Sequence, residues 1–488
     1  MVVSLYNTLT RSKEAFAPPD APNVGLYTCG PTVYDYPTIG NMRTYLFEDV
    51  LKRVLTYNGY AVTHVLNITD VGHLTSDADE GEDKMAVGAL RTGLTPAEIA
   101  RFFTEVYFTD FAALNCLPPT VVCPATEHIP EMIALIECLV QKGVAYEISD
   151  GVYFDVAKFP AYGRLSRLSL EGQEAGARVE VNSEKHGPFD FALWKRAEPR
   201  HLQQWPSPWG QGFPGWHIEC SAMSMKYLGT TFDIHCGGID HIPVHHENEI
   251  AQSEACTGEP FARVWLHGEF LRMLQPITRQ QGDTAETVEE EVKMSKSLGG
   301  FIRVSDLAAA GYAPLTYRYL CLTAHYRAAL SFRNDLSSLD AARTALDRLH
   351  DFVRRAAGDT PTPAAEGSSA DWLAPFDTAF REAINDDLNM PRALATVWEL
   401  VGEANRRGQA NAALPLLFAW DTVLGLELEA QALREDVLTP AEHALFEARQ
   451  AARAAKQWPQ SDALRAELRA HGVEVEDTAQ GQRWKRVA

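Results

Sequence analysis

A chain of 488 residues is too long for one hydrophobic core and predicts three or four domains. Hydrophobic residues at 46% and charged residues at 22% fit a globular protein and exclude a disordered or fibrous one; no apolar run is long enough to cross a bilayer. The formal net charge of −21 means that a polyanionic partner has to be met on a local basic face.

The first residues lack the basic-then-apolar plan of a signal peptide, so the cytoplasm is the expected location. Val24-Gly25-Leu26-Tyr27-Thr28 is apolar and β-rich and runs straight into Cys29-Gly30-Pro31. Beyond Gly40, the residues Tyr45, Leu46, Val50, Leu51, Val54 and Leu55 recur at helical intervals, and Ala61-Val62-Thr63-His64-Val65-Leu66 reads as a buried strand. Strand, glycine-containing turn, helix and strand make a βαβ unit, which predicts an α/β fold with a doubly wound parallel sheet. A ligand would sit at the carboxyl ends of those strands, where Cys29 and Asn67-Ile68-Thr69-Asp70 emerge.

Further along, a helix around 129–142, a short β region over 151–156 and a polar, glycine-bearing stretch look inserted. The nucleotide-binding pattern resumes at Trp216. From about 333 the chain reads as helical almost throughout, with Leu339, Ala342, Leu346, Leu349 and Val353 on one stripe and a loop over 358–370 joining two helices of one bundle. The predicted division is 1–115 and 213–270 for the two halves of a nucleotide-binding domain, 116–212 for the insertion, 271–332 for a connecting domain, 333–429 for the bundle and 430–488 for a small last unit.

Eight cysteines at irregular spacing predict free thiols and a metal site, not a disulfide framework. In His245-His246-Glu247-Asn248-Glu249, at the start of a predicted helix, His245 and Glu249 are four apart and share a face, as two helical metal ligands must. The order is not His-Glu-x-x-His, so a zinc-peptidase reading fails. Cys29 and Cys220 fall where the fold can bring them close, and two thiolates, an imidazole and a carboxylate suit tetrahedral zinc. Spacing alone leaves His217, His235, Cys236, His241 and His246 as alternatives.

Lys293-Met294-Ser295-Lys296-Ser297 is built to hold a triphosphate: two ammonium groups, two hydroxyls, and Gly299-Gly300 to let the backbone bend. Upstream, Cys29-Gly30-Pro31-Thr32-Val33-Tyr34 leads into Thr38-Ile39-Gly40-Asn41. In that order the pair resembles the two signature motifs of the class I aminoacyl-tRNA synthetases and, within the class, the cysteinyl-tRNA synthetases of bacterial type. Asn67 to Met85, Phe191 to Lys195, Phe213 to Met223, His245 to Ser253, Ser461 to Arg465 and Glu476 to Gly481 carry the likeness through nearly the whole chain.

The resemblance implies ATP-dependent formation of cysteinyl-adenylate and transfer of the cysteinyl group to the 3′ end of tRNA(Cys). The implied zinc ligands are Cys29, Cys220, His245 and Glu249, and the metal binds the substrate thiol. An apolar pocket separates cysteine from serine only weakly, whereas a hydroxyl is a far poorer zinc ligand, so no editing domain is needed. Thr69, Trp216 and Asp240 match positions lining the amino-acid pocket, with Trp216 over the side chain and Asp240 facing the ammonium group. Thr38 replaces the usual first histidine of the signature and can still donate a hydrogen bond, while Gly40 permits close approach of the nucleotide and Asn41 completes the motif. Lys296 is expected on the triphosphate, supported by Lys293, with Mg²⁺ accompanying ATP. The stretch 274–291 is longer than the family's usual hairpin and reads as a tolerated surface insertion.

The helical region resembles the bundle that supports anticodon binding, and 430–488 is the implied anticodon-binding unit. Arg449, Arg453 and Lys456 can share a helix face, and Arg483 and Trp484 interleave charge with an aromatic ring, a pattern suited to a looped-out RNA base. Expected partners are tRNA(Cys), ATP and L-cysteine, with no membrane and a monomeric chain. Two rivals share parts of this pattern. A ligase that passes the cysteinyl group to an amino sugar in mycothiol synthesis lacks the long region after 333. A non-catalytic RNA-binding paralogue is suggested by Thr38 and opposed by the intact lysine–serine loop and ligand set.

Overall fold

The computed structural model describes residues 2–72, 85, 88–90, 93–167, 183–198, 201–281, 284–293, 301–358, 370–433, 438–478 and 481–486. Its centre is a five-stranded parallel sheet in the order Ala262–Gly268, Phe232–Gly238, Asn23–Thr28, Ala61–Ile68, Val121–Pro124. Alternate residues of one strand enter opposite cores. Val24 and Leu26 pack with Leu51, Val54 and Leu55 of helix Ile39–Tyr57, while Tyr27 faces the side of Ile218, Ile250 and Trp265, carried or flanked by helices Trp216–Leu228 and His245–Thr257. Cover on both faces is why these strands read as continuous apolar runs, and why the doubly wound prediction holds.

The edge strand Val121–Pro124 pairs in parallel with Ala61–Ile68, so it belongs to the central sheet although the sequence placed it in the insertion. Beyond it come helix Ile129–Gln141 and a five-stranded antiparallel sheet built from Ala145–Ile148, Gly151–Phe154, Phe191–Arg196, Gly210–Pro214 and Trp205–Ser207. Cys138 and Cys256 form a disulfide joining that helix to the end of His245–Thr257, a cross-link that the expectation of free thiols and a metal site did not include. The partners lie 118 residues apart, and only the packing of the two helices brings them together.

Leu271–Gln281 and Thr284–Lys293 form a long antiparallel hairpin, the form taken by the predicted surface insertion. The hairpin pairs in turn with Leu330–Arg333. Helices Asp340–Gly358, Ala374–Asn385, Met390–Arg407 and Ala410–Leu424 then form the bundle. The end of the chain is not wholly helical: Pro440–Ala454 and Trp458–Ala470 are followed by the hairpin Val473–Thr478 and Gly481–Arg486.

Helix Ile39–Tyr57 ties these parts together. Asp49 accepts from Arg53 at 2.8 Å and from Arg318 at 2.6 Å, and Arg318 also donates to the carbonyls of Leu424 and Leu114 at 2.6 and 3.1 Å. A buried ion pair stripped of its partner charge is costly, so each guanidinium is met on several sides. Gly425 closes this junction at φ 66°, where a β-carbon would lie 2.6 Å from the Arg318 Nη2.

Candidate active site and metal centre

A cavity of about 600 Å³ opens at the carboxyl ends of the parallel strands, bounded among others by Cys29, Thr38, Thr69, Trp216, Asp240 and His245. Gly30, two residues past strand Asn23–Thr28, has to be glycine: a β-carbon there would fall 1.6 Å from the Asn67 carbonyl oxygen. Helix Trp216–Leu228 supplies Cys220, and helix His245–Thr257 supplies His245 and Glu249 on one face.

The sulfurs of Cys29 and Cys220, a nitrogen of His245 and a carboxylate oxygen of Glu249 all lie within 4.8 Å of one another, and all four residues are buried. His245 Nε2 is 3.0 Å from Glu249 Oε1, and Cys29 Sγ is 4.0 Å from the same oxygen. A second group is gathered as closely, Cys29 and Glu249 with His235 and His246. The two differ in access. Cys29, Cys220 and His245 line the cavity, whereas His235 and His246 do not. A metal that is to meet a substrate thiol has to face the cavity, which favours the first set.

The remaining histidines hold this set from outside. His235 Nε2 lies 2.7 Å from Glu249 Oε2, His217 Nδ1 lies 2.9 Å from His245 Nδ1, and His246 Nε2 lies 3.3 Å from Cys29 Sγ while its Nδ1 lies 2.8 Å from His267 Nε2. Sequence spacing left His217, His235 and His246 open as ligands; none of them lines the cavity, and beside the first set they stand as outer partners of the kind that fix a ligand's tautomer and orientation. Glu247, between the ligand histidine and glutamate, points elsewhere, and its carboxylate accepts the backbone N–H groups of Gly163, Leu165 and Ser166 at 2.8, 3.0 and 2.8 Å.

Charge in the cluster is already arranged for a cation. Burial opposes ionisation of Glu249, but His235 and His245 hold its carboxyl down at about 2. Burial also disfavours a charged His245, yet Glu249 and Cys220 raise its imidazolium to about 10. Cys220 is brought down to about 7 against burial by the hydrogen bond from Cys29, while burial and that same bond push Cys29 well above the usual thiol range. One thiol thus carries the proton and the other tends to thiolate.

Thr69 and Asp240 line the cavity with Trp216, whose ring lies 4.3 Å from that of His245. Thr38 and Asn41 form a capping box on helix Ile39–Tyr57, with Asn41 N–H donating to Thr38 Oγ1 at 3.2 Å and Thr38 N–H to Asn41 Oδ1 at 3.0 Å. The helix N-terminus, favourable for anions, is therefore aimed at the cavity. The Ile39 amide donates to the Ile302 carbonyl at 2.8 Å, and Phe301 lines the cavity. The lysine–serine loop leads into these residues, but Lys296 and the Lys293 side chain lie outside the described residues.

The predicted RNA-facing residues differ in exposure and partners. Arg449 is buried and pairs with Asp477 at 3.0 Å through both terminal nitrogens, so it holds the C-terminal hairpin in place and offers no free surface charge. Arg453 meets the same carboxylate at 2.9 Å and lies 5.7 Å from the ring of Trp458, which is 52% exposed. Lys456 is exposed but lies past the helix end at φ 57°, so it shares no helix face with the two arginines. Arg483 is exposed on the last strand, while Trp484 packs partly against Leu438, Leu468, Val473 and Val475.

Residues 15–342 match the family described as tRNA synthetases class I (C) catalytic domain, 379–429 the DALR domain and 429–484 the cysteinyl-tRNA ligase anticodon binding domain. The chain is 50% identical over 489 residues to cysteine–tRNA ligase 1 of Burkholderia lata, covering 99% of this chain and 97% of that one. It is 44% identical over 498 residues to the cysteine–tRNA ligase of Thermus thermophilus, covering 99% of each. In fold it is similar to the methionyl-tRNA synthetase of Mycobacterium tuberculosis, with a TM-score of 0.56 at 15% identity over 84% of this chain and 89% of that one.

Proposed function

The chain belongs to the cysteine–tRNA ligase family of class I synthetases, and from that premise we propose how its residues divide the work of joining L-cysteine to tRNA(Cys). The reaction has two steps. Cysteine and ATP give cysteinyl-adenylate and pyrophosphate, and the acyl group then passes to the 3′ end of the tRNA.

Cys29, Cys220, His245 and Glu249 hold one Zn²⁺, a reading supported by their buried, mixed sulfur, nitrogen and oxygen donor set at the cavity wall. Zinc in that position supplies a strong bond to the substrate sulfur, a discrimination that an apolar pocket, worth about 1–3 kcal/mol per missing group, does not reach. Trp216 packs over the substrate side chain, Asp240 takes the ammonium group, and Thr69 completes the pocket.

Thr38, Gly40 and Asn41 present the helix N-terminus to the nucleotide, and Lys293 and Lys296 neutralise charge as the triphosphate reorganises, with Mg²⁺ held through the phosphates. In phosphoryl chemistry the protein acts mainly by positioning and charge stabilisation, and these groups are suited to both. The adenylate site belongs to the parts before 333, with Val121–Pro124 counted in the central sheet and not in the insertion, and 430–488 meets the anticodon. A cytoplasmic monomer is the proposed working form.

The single observation that carries the reading is that the metal-competent set and the capped signature helix open on one cavity. Cysteine-dependent ATP–pyrophosphate exchange followed by charging of bulk tRNA tests it. Exchange without charging would favour the amino-sugar ligase, which the match of 429–484 to an anticodon binding domain does not favour. No cysteine-dependent exchange would favour the non-catalytic paralogue.

A further inference from the structure

Thr69 sits in the cavity wall with its backbone clamped on both sides: its N–H donates to the Pro31 carbonyl at 3.0 Å, and its own carbonyl accepts from Val33 at 3.1 Å. Only the hydroxyl rotor is left to set. Its proton goes to Glu219 Oε2 at 3.0 Å, and it accepts from Asn67 Nδ2 at 3.1 Å. The Asn67 amide cannot turn over without loss, because its oxygen takes the Gly30 N–H at 2.8 Å. A threonine hydroxyl has one proton and two lone pairs. With the proton and one lone pair committed, what remains for a ligand is a single lone pair.

Resting on the cysteine pocket proposed above, we infer that Glu219 is a positioning residue that holds the Thr69 hydroxyl as a hydrogen-bond acceptor for the α-ammonium group of the substrate amino acid. Of the polar groups on cysteine, the ammonium donates most strongly, whereas the carboxylate only accepts and is repelled by a lone pair. Glu219 is wholly buried on helix Trp216–Leu228, the helix that begins at Trp216 and carries Cys220. One turn of helix therefore links the side-chain pocket, the metal ligand and the polarity of the ammonium site. Without Glu219 the hydroxyl proton is free to swing into the cavity and meet the ammonium group proton to proton.

The holoenzyme is tested with cysteine and two partial substrates as competitive inhibitors of pyrophosphate exchange. Cysteamine keeps the thiol and ammonium; 3-mercaptopropionate keeps the thiol and carboxylate. In Glu219→Ala, the KM for cysteine and the Ki for cysteamine should each rise about tenfold, the scale of one hydrogen bond to a charged group, while the Ki for 3-mercaptopropionate, the KM for ATP and the zinc content stay within about twofold. Glu219→Gln, whose amide oxygen accepts the same proton, should restore most of the loss. If Glu219→Ala fails to fold, Thr69→Val, which keeps the shape and removes the hydroxyl, carries the same split. Equal weakening of both analogues, an unchanged KM for cysteine, or loss of zinc would overturn the assignment in favour of a packing role. If the unaltered enzyme shows no cysteine-dependent exchange, it is the pocket itself that fails, a result distinct from normal exchange without the split.

Discussion

The Nε2 atom of His235 lies 2.7 Å from Glu249 Oε2, and neither side chain is exposed to solvent. The other Glu249 oxygen faces His245 at 3.0 Å and Cys29 at 4.0 Å. His246 Nε2 also lies 3.9 Å from that second oxygen, so the two candidate donor sets share Cys29 and Glu249 and differ in whether Cys220 and His245, which line the cavity, or His235 and His246, which do not, complete them.

The first prediction uses that difference. Cys220→Ser or His245→Ala should abolish tight zinc binding and raise the KM for cysteine far more than that for ATP. His235→Ala should only weaken zinc, by about 10–100-fold, the usual cost of losing an outer partner. Zinc content and chelator competition give the comparison. Full retention in Cys220→Ser with complete loss in His235→Ala and His246→Ala would place the metal in the second set.

A second expectation concerns pH. Metal ligands bind deprotonated, so each proton displaced makes affinity rise with pH. Near pH 8, Cys220 (about 7) is already largely thiolate, whereas His245 (about 10) and Cys29, which burial holds well above the usual thiol range, still carry protons. Zinc binding should therefore release about two protons there, and a third as the pH falls below 7. Titrating zinc against a chelator across this range in two buffers of different ionisation enthalpy measures the count. An affinity independent of pH would contradict the charge arrangement.

Glu48 offers a separate test, on stability. Burial pushes its carboxyl well above the ordinary range, and its Oε1 has no hydrogen-bond partner among the described residues. The folded chain therefore binds this proton more tightly than the unfolded chain. Its contribution is fully present below the unfolded value, near 4.3, and is lost as pH rises toward the folded value, by about 1.4 kcal/mol for each unit between them. Glu48→Gln removes the titration while keeping the shape. Its melting temperature should exceed that of the unaltered chain at pH 8, and the gain should vanish near pH 4. A gain equal at both would mean that packing, not ionisation, is responsible.

Legibility in the sequence followed physical range. The strands Asn23–Thr28 and Ala61–Ile68 were readable because burial on both faces writes continuous apolar runs. The four donors at Cys29, Cys220, His245 and Glu249 were readable through their chemistry together with the family likeness, since spacing alone admitted five other residues. What escaped was set by tertiary contact. No local pattern says that His217 and His235 back the donors, or that Cys138 meets Cys256. Arg449 misled for the same reason: its helix face is basic, yet Asp477 comes back across the hairpin to consume it.

That correction shapes the last prediction. The C-terminal unit has its own small core of Leu438, Leu468, Val473 and Val475, whereas helix Leu428–Ala432 packs through Leu428 into the core of the bundle. A chain truncated after Leu433 should therefore keep its catalytic fold and exchange pyrophosphate with cysteine and ATP at close to the full rate. Its kcat/KM for tRNA should fall about 100-fold, as several phosphate and base contacts are lost together. Within the full chain, Lys456→Ala should lower tRNA affinity without changing stability and reduce the dependence on log salt by about one contact. Arg449→Met should instead loosen the unit, because Asp477 loses its buried partner, and its effect on tRNA should track unfolding of that unit. Normal charging by the truncated chain would remove the C-terminal unit from tRNA recognition. A salt slope in Lys456→Ala equal to that of the unaltered chain would remove Lys456 from the contact surface and leave Arg453 and Arg483 as its basic groups.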